Sequence, residues 1–148
     1  MSRSTETTVR AFLEHVRSGR SPKRASEYFA PVVLANQVRA GAGETLERSP
    51  ANYTEHVEEM IEMFGNFEFT VDELLVDGDK AYARWTQRGH HVGMIDGHPP
   101  TGHPIETVGS AVYRVADGLI AEYWIQQDAA GLAAQLRSQR GARASQHE

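Results

Sequence analysis

The chain contains no cysteine, which excludes disulfides, thiolate zinc sites, iron–sulfur ligation and a cysteine nucleophile. It has no apolar run approaching the ~20 residues that cross a bilayer as a helix. Its first residues, Met1-Ser2-Arg3-Ser4-Thr5-Glu6, carry no hydrophobic signal core. Positive charge is scarce: fifteen Lys and Arg stand against twenty Asp and Glu, a formal net charge of −5. A broad electrostatic grip on nucleic acid is therefore not expected. Neither glycine-rich phosphate loop, G-x-G-x-x-G or G-x-x-x-x-G-K-[ST], stands between a strand and a helix, and no G-x-S-x-G nucleophile elbow occurs. These absences predict a cytoplasmic protein with neither a membrane nor a nucleic acid as partner.

What is present suits one globular unit. The 148 residues are 40% apolar, and a chain of this size buries roughly 70% of its unfolded surface. Val9, Phe12, Leu13 and Val16 recur at i, i+3, i+4 and i+7, which predicts a helix over 5–17 with Arg10, Glu14 and Arg17 facing outward. Ser21-Pro22 predicts a capped short helix through Tyr28 and Phe29, ended by Pro31, then a strand over 32–38. Residues 39–48 read as a loop. Ser49-Pro50 opens a stronger helix with Tyr53, Val57, Met60, Ile61 and Phe64 on one face, closed by Gly65-Asn66.

The apolar period then changes from 3.6 to 2. Phe67, Phe69 and Val71 alternate with polar residues, and Asp77-Gly78-Asp79 turns the chain into a long strand over 81–91. A polar loop over 93–102 precedes a strand over 104–115, the turn Ala116-Asp117-Gly118 and a last strand over 119–127. Asp128 is placed to cap a closing helix, and residues 139–148, with no apolar face, are expected to be a disordered tail after a single domain over 1–138. Helices followed by an antiparallel meander argue α+β, and a curved sheet wrapped on helices leaves a pocket.

Strand parity selects the residues that line such a pocket. Trp85, Gln87, Gly89 and His91 share one face of the long strand; Thr107, Gly109, Ala111 and Tyr113 face in from the next; Tyr123, Ile125 and Gln127 from the last. The small residues at 109 and 111 leave room on the floor. His91 is the candidate acid/base, since imidazole titrates near neutrality; the alternative is a histidine bonded to backbone at a strand end. Asp128 is a second proton carrier or simply a helix cap. Tyr53, Met60, Phe64 and Trp85 form expected apolar walls, with Asn36, Gln87, Thr107, Tyr123 and Gln127 as polar contacts to substrate. His90, His91, His98 and His103 cluster around one loop, but their spacing matches no zinc pattern and His90 and His91 point to opposite faces. A polar rim, with no metal, is the expectation there.

Three segments carry a family resemblance: Arg84-Trp85-Thr86-Gln87-Arg88-Gly89-His90-His91-Val92-Gly93; then Gly97-His98-Pro99-Pro100-Thr101-Gly102; then Val112 through Trp124, with Asp128 and Gly131-Leu132-Ala133-Ala134-Gln135-Leu136 following. In this order they resemble the SnoaL-like polyketide cyclases of the NTF2-like superfamily, over about residues 5–137. The resemblance implies a cone-shaped α+β barrel, a homodimer formed through the sheet's outer face with Ile120 and Trp124 covered, and a cofactor-free enzyme acting on a small hydrophobic metabolite. In the family's best-known case the reaction is an intramolecular aldol ring closure. The positions resembling the family's Asp and His are Ile125 and Ala111 here, neither able to move a proton. His91 matches the histidine of the family's Gly-x-His-x-Gly segment.

Three functions follow from these residues. The leading one is cyclisation, isomerisation or dehydration by acid/base chemistry. A non-catalytic module binding a small molecule or a protein is the second. Epoxide opening is the third, disfavoured as a paired-carboxylate mechanism because Arg84-Trp85-Thr86 and Arg88-Gly89-His90 replace the Arg-x-Asp that such hydrolases carry.

Overall fold

The computed structural model describes residues 3–146, with side chains to Gln139. Helix α1 (Thr5–Phe12) starts at Ser4, whose hydroxyl accepts from the Thr7 amide at 3.1 Å. It runs straight into a π-helical turn, Leu13–Arg17, closed by the i→i+5 bond from Ser18 N to Leu13 O. A 3₁₀ helix follows at Pro22–Glu27, then strands β1 (Phe29–Gln37) and β2 (Glu44–Arg48), helix α2 (Pro50–Phe64), strands β3 (Glu68–Asp77), β4 (Lys80–His90), β5 (Pro104–Ala116) and β6 (Leu119–Gln127), and helix α3 (Ala129–Gln146).

The strands form one curved six-stranded sheet in the order β2-β1-β6-β5-β4-β3. Only β1 and β6 run parallel. The architecture is α+β as expected, but the sheet stays open, with β2 and β3 as free edges rather than a closed barrel. Among the described residues no helix is long and apolar enough to cross a membrane.

Several boundaries differ from the sequence reading, each for a physical reason. Pro31 does not end a helix; it lies within β1, at the irregularity where pairing with β6 skips from Phe29 to Leu34. Ser21 makes no capping bond to the 3₁₀ helix. Residues 44–48 are a strand rather than loop: β2 is a short edge with no fully buried residue, so its sequence shows no alternation. Ser49 does cap α2, accepting from the Asn52 amide at 3.0 Å. Backbone helix continues along α3 to Gln146 where a disordered tail over 139–148 was expected; residues 147 and 148 lie outside the described residues.

Two bulges reset parity. Asp72 is an extra residue in β3, between the pairs Val71–Trp85 and Glu73–Arg84. Ala121 is extra in β6, between Arg114–Glu122 and Val115–Ile120. The second bulge turns Ile120 into the core at 0% exposure, which removes it from the outer face where a partner was expected to cover it.

The core is aromatic at the end nearest α1. Phe12 stacks on Phe29 at 5.0 Å, Tyr53 meets Phe29 edge-on at 4.7 Å, and Tyr113 and Tyr123 stand 5.7 Å apart beside them. Such pairs add about 0.5–1.5 kcal/mol each beyond the area they bury. They close this end of the sheet, so any cavity must open at the other.

Candidate functional site

That opening is a cavity of about 240 Å³ between α2, the inner face of β4 and β5, the start of α3 and the 93–103 loop. Met60, Met63 and Phe64 come from one face of α2, Trp85 and Gln87 from β4, Thr107 from β5, and Leu132 from α3. Ile95 covers the loop side. It is held there by a tight hairpin in which Ile95 and His98 exchange backbone bonds of 3.1 and 2.7 Å around Asp96 (φ 46°) and Gly97 (φ 81°). Gln127 and Asp128 are exposed at the mouth.

Of the residues expected at the site, seven line this cavity: Met60, Phe64, Trp85, Gln87, Thr107, Gln127 and Asp128. Four do not. Tyr53 and Tyr123 are buried in the aromatic cluster, and burial raises both phenol pKa values, most strongly at Tyr53. Asn36 lies on the opposite face of the sheet, where its amide donates to Glu122 Oε2 and the Tyr123 carbonyl and accepts from Thr45.

His91 is the fourth, and its surroundings assign it to the loop. Its ring is 1% exposed, with Nε2 at 3.1 Å from the His98 carbonyl. A carbonyl only accepts, so Nε2 carries the proton and the tautomer is fixed. The other nitrogen stands 3.5 Å from Thr101 Oγ1, and the His91 backbone bonds both His103 and Gly102. His91 thus ties the 93–103 loop together from behind. His90 is exposed on the other face, as alternation predicts.

The flanking glycines have a packing role. A Cβ on Gly89 would stand 2.5 Å from the Phe64 carbonyl oxygen, and one on Gly93 would collide with the Glu62 carbonyl. The last turn of α2 rests on these two positions, and Val92 N donates to the Met63 carbonyl at 3.0 Å, satisfying an end-of-helix acceptor. Gly109 supplies room of another kind: a Cβ there would lie 3.0 Å from the Trp85 indole. The space expected on the floor is occupied by that ring.

Among the lining residues that the sequence reading missed, two carry chemistry. Arg17, expected to face solvent, is 5% exposed and donates from Nη1 to Gln87 Oε1 at 2.8 Å. Arg17 is i+4 from Leu13 and i+8 from Val9, at the edge of their helical face, and the wider spiral of the π turn carries it further onto that face. The guanidinium lies over Phe69 at 4.8 Å and Trp85 at 5.4 Å. Burial lowers its pKa, and the neighbouring phenols of Tyr53, Tyr113 and Tyr123 act against that. No carboxylate is among the groups acting on it.

The other is His56, on α2 one turn before Met60. Burial, then the charges of Arg48 and Arg17, lower its pKa to about 4. Its ring is therefore neutral at physiological pH. A sequence signal existed for both: His56 stands next to Val57 and i−4 from Met60 on its helix, and Arg17 is i+4 from Leu13 and i+8 from Val9.

Asp128 accepts from the Gly131 amide at 2.9 Å and so caps α3, as expected, while remaining at the mouth. Among the described residues no group of three His, Asp or Glu side chains is placed to hold a metal ion.

A larger groove of about 390 Å³ lies between the π turn and β3, lined by Leu13, Phe67, Phe69, Val71 and Leu74 with Arg10, Glu14, Arg20 and Glu68. Its charged residues are all exposed, and among the described residues none of its polar lining is buried.

Comparison with known proteins gives this arrangement a lineage. The chain is 26% identical to a candidate polyketide cyclase from Acidithiobacillus ferrooxidans, covering 93% of this chain and 97% of that one with a TM-score of 0.78. It is 25% identical to IdmH of Streptomyces antibioticus, a candidate polyketide cyclase, over 90% of this chain and 99% of that one, with a TM-score of 0.75. An NTF2-like protein from Burkholderia thailandensis shares the fold at 21% identity and a TM-score of 0.69, over 91% of this chain and 98% of that one. No functionally curated protein matches. The SnoaL-like polyketide cyclase profile matches residues 7–136, nearly the whole described chain, and the chain belongs to that family.

Proposed function

We propose that this protein is a cofactor-independent enzyme that moves a proton on a small, mostly apolar metabolite held in the cavity beneath α2. Ring closure, isomerisation and dehydration are the reactions such a step serves. The observation that carries this reading is His56, a neutral imidazole with pKa about 4 in a cavity walled by Met60, Phe64 and Trp85. It has the basicity of a carboxylate yet is uncharged while waiting. Once protonated it faces repulsion from Arg17 and Arg48, which favours return of the proton.

In this scheme His56 takes a proton α to a carbonyl and the electron pair moves onto the carbonyl oxygen. Gln87 commits its Oε1 to Arg17, leaving its NH₂ as a donor to that oxygen, with the Thr107 hydroxyl as a second. Asp128 at the mouth exchanges protons with solvent. The Met and aromatic walls hold an apolar framework and exclude water.

The test needs no knowledge of the natural substrate. 2-Tetralone in D₂O, followed by proton NMR, should lose its α-protons faster with the protein than in buffer. His56→Gln should lower that rate about 100-fold or more, the usual scale of a general base. Asp128→Asn keeps an N-cap of equal quality, so a reduced rate with unchanged stability would assign it to proton transfer. No acceleration by the wild-type protein would overturn the reading.

A second reading, binding without turnover, is favoured by Ala111 and Ile125. They are cross-strand neighbours on β5 and β6, at the positions resembling the family's proton carriers. The same experiment decides: bound tetralone with no exchange supports a binding module. In either case the sheet's outer face, where Leu34 and Val108 are exposed and Trp124 is half-buried, is the surface we assign to a second copy. Sedimentation equilibrium should then show a dimer.

A further inference from the structure

We infer that the cavity is built for a planar apolar molecule bearing one anionic oxygen, and that Arg17 is the group that grips it. This deepens the reading above by naming the ligand class of the same site, and it rests on that reading only for the identity of the cavity.

Among the described residues no carboxylate pairs with the buried cation Arg17. Its one described hydrogen bond is to Gln87, a neutral amide, although a guanidinium has five N–H donors. The ionisable groups acting on it are tyrosines held neutral by burial, not carboxylates. An ion in such a place costs several kcal/mol of lost hydration. The rings of Phe69 and Trp85 offset part of that through their π faces. The remainder is uncompensated.

The remaining donors are not sealed within protein. Among the described residues, the one buried side-chain nitrogen without a partner is Arg48 Nε, not a nitrogen of Arg17. Arg17 lines the cavity beside Trp85 and Gln87. The free donors therefore open onto ligand space, where an oxyanion would supply the missing charge and acceptors together.

The walls define the rest of the ligand. Beyond Arg17 and Gln87, the deep part of the cavity is Met60, Phe64, Trp85 and Ile95, which suits a flat hydrocarbon framework. At about 240 Å³ the space lies below the ~300–1,000 Å³ of drug-sized sites, so the framework is small. Asp96 and Asp128 at the mouth are exposed. Their charge is screened by salt, whereas Arg17 acts in a desolvated interior.

Calorimetric titration with 2-naphthoate and with neutral 2-naphthamide at pH 7 tests this directly. The wild-type protein should bind the anion at least tenfold more tightly, the scale of a hydrogen bond to a charged group. Arg17→Met should bring the two affinities together. Gln87→Glu should do the same by placing a carboxylate against Arg17, and it serves as the test if Arg17→Met does not fold. Equal affinities in the wild type, or a preference that survives either folded variant, overturn the inference. Because binding is read without turnover, tetralone exchange can fail while the naphthoate preference holds, and the reverse.

Discussion

Arg17 and Gln87, seventy residues apart in the chain, meet at 2.8 Å in the interior, the one on a π turn and the other in the last third of β4. The bond joins the first helix to the sheet at the point where the cavity begins. It also holds both side chains in one rotamer, so the positive charge and the amide donor are placed before any ligand arrives.

Removing one partner differs from removing the charge. Gln87→Leu leaves Arg17 buried with no described acceptor and should cost about 1.5–3 kcal/mol, the range for hydrogen bonds to charged groups. Arg17→Met removes the ion itself and should be close to neutral or stabilising. Urea unfolding midpoints of the two variants should move apart, Gln87→Leu downward.

The neutral His56 makes stability depend on pH. Its folded pKa of about 4 lies below the ordinary imidazole value of 6.5, so the unfolded chain binds the extra proton first. The contribution is complete above pH 6.5 and is lost as pH falls towards 4. The shift corresponds to up to about 3 kcal/mol. His56→Phe should flatten the pH dependence of the urea midpoint across that window, and the His56 ring resonances should titrate near pH 4.

His91→Ala should act on the loop. It leaves the His98 carbonyl without the ring donor and opens a void behind residues 93–103, with an expected loss of about 1–3 kcal/mol. Tetralone exchange per folded molecule should persist. Loss of exchange at unchanged stability would return His91 to the chemistry.

Gly109→Ala should push the Trp85 indole, whose ring atoms stand 3.0 Å from where the new Cβ would sit. Overpacking of this kind costs about 1–3 kcal/mol. A shifted tryptophan emission spectrum with reduced affinity for 2-naphthoate is the expected signature, since Trp85 is also a wall of the cavity.

The elements with strong periodicity were readable from sequence: α2, β4, β5 and the two Gly-containing hairpins stand close to where alternation and turn chemistry put them. Interior parity held for Trp85, Gln87, Thr107 and Ala111 because β4 and β5 pair without a bulge. It failed at Ile120, where one extra residue in β6 reverses the face. At Arg17 the spacing from Val9 and Leu13 pointed inward, but a charged side chain is rarely buried, which favoured the solvent face. Tyr53 and Tyr123 pointed inward as expected, but pointing inward does not distinguish core from cavity. That distinction is set by Phe12 and Phe29, which arrive from other elements. The Gly-x-His-x-Gly segment was legible as a motif: its glycines admit α2, and its histidine bonds the loop behind the cavity.

Beyond the point where β6 first pairs with it at Gly109, β5 loses that neighbour, and Gln135 of α3 takes the vacant place. Glu106 N donates to Gln135 Oε1 at 2.9 Å, and Gln135 Nε2 donates back to Glu106 O at 2.7 Å. The Glu106 amide is therefore protected by a helix side chain, so its hydrogen exchange reports undocking of α3 rather than fraying of the sheet. Leu132 and Asp128, at the same end of the chain, bound the cavity. A molecule packed under Leu132 stabilises the docked helix by mass action, which makes the exchange rate of one backbone proton in β5 a gauge of whether the cavity is filled.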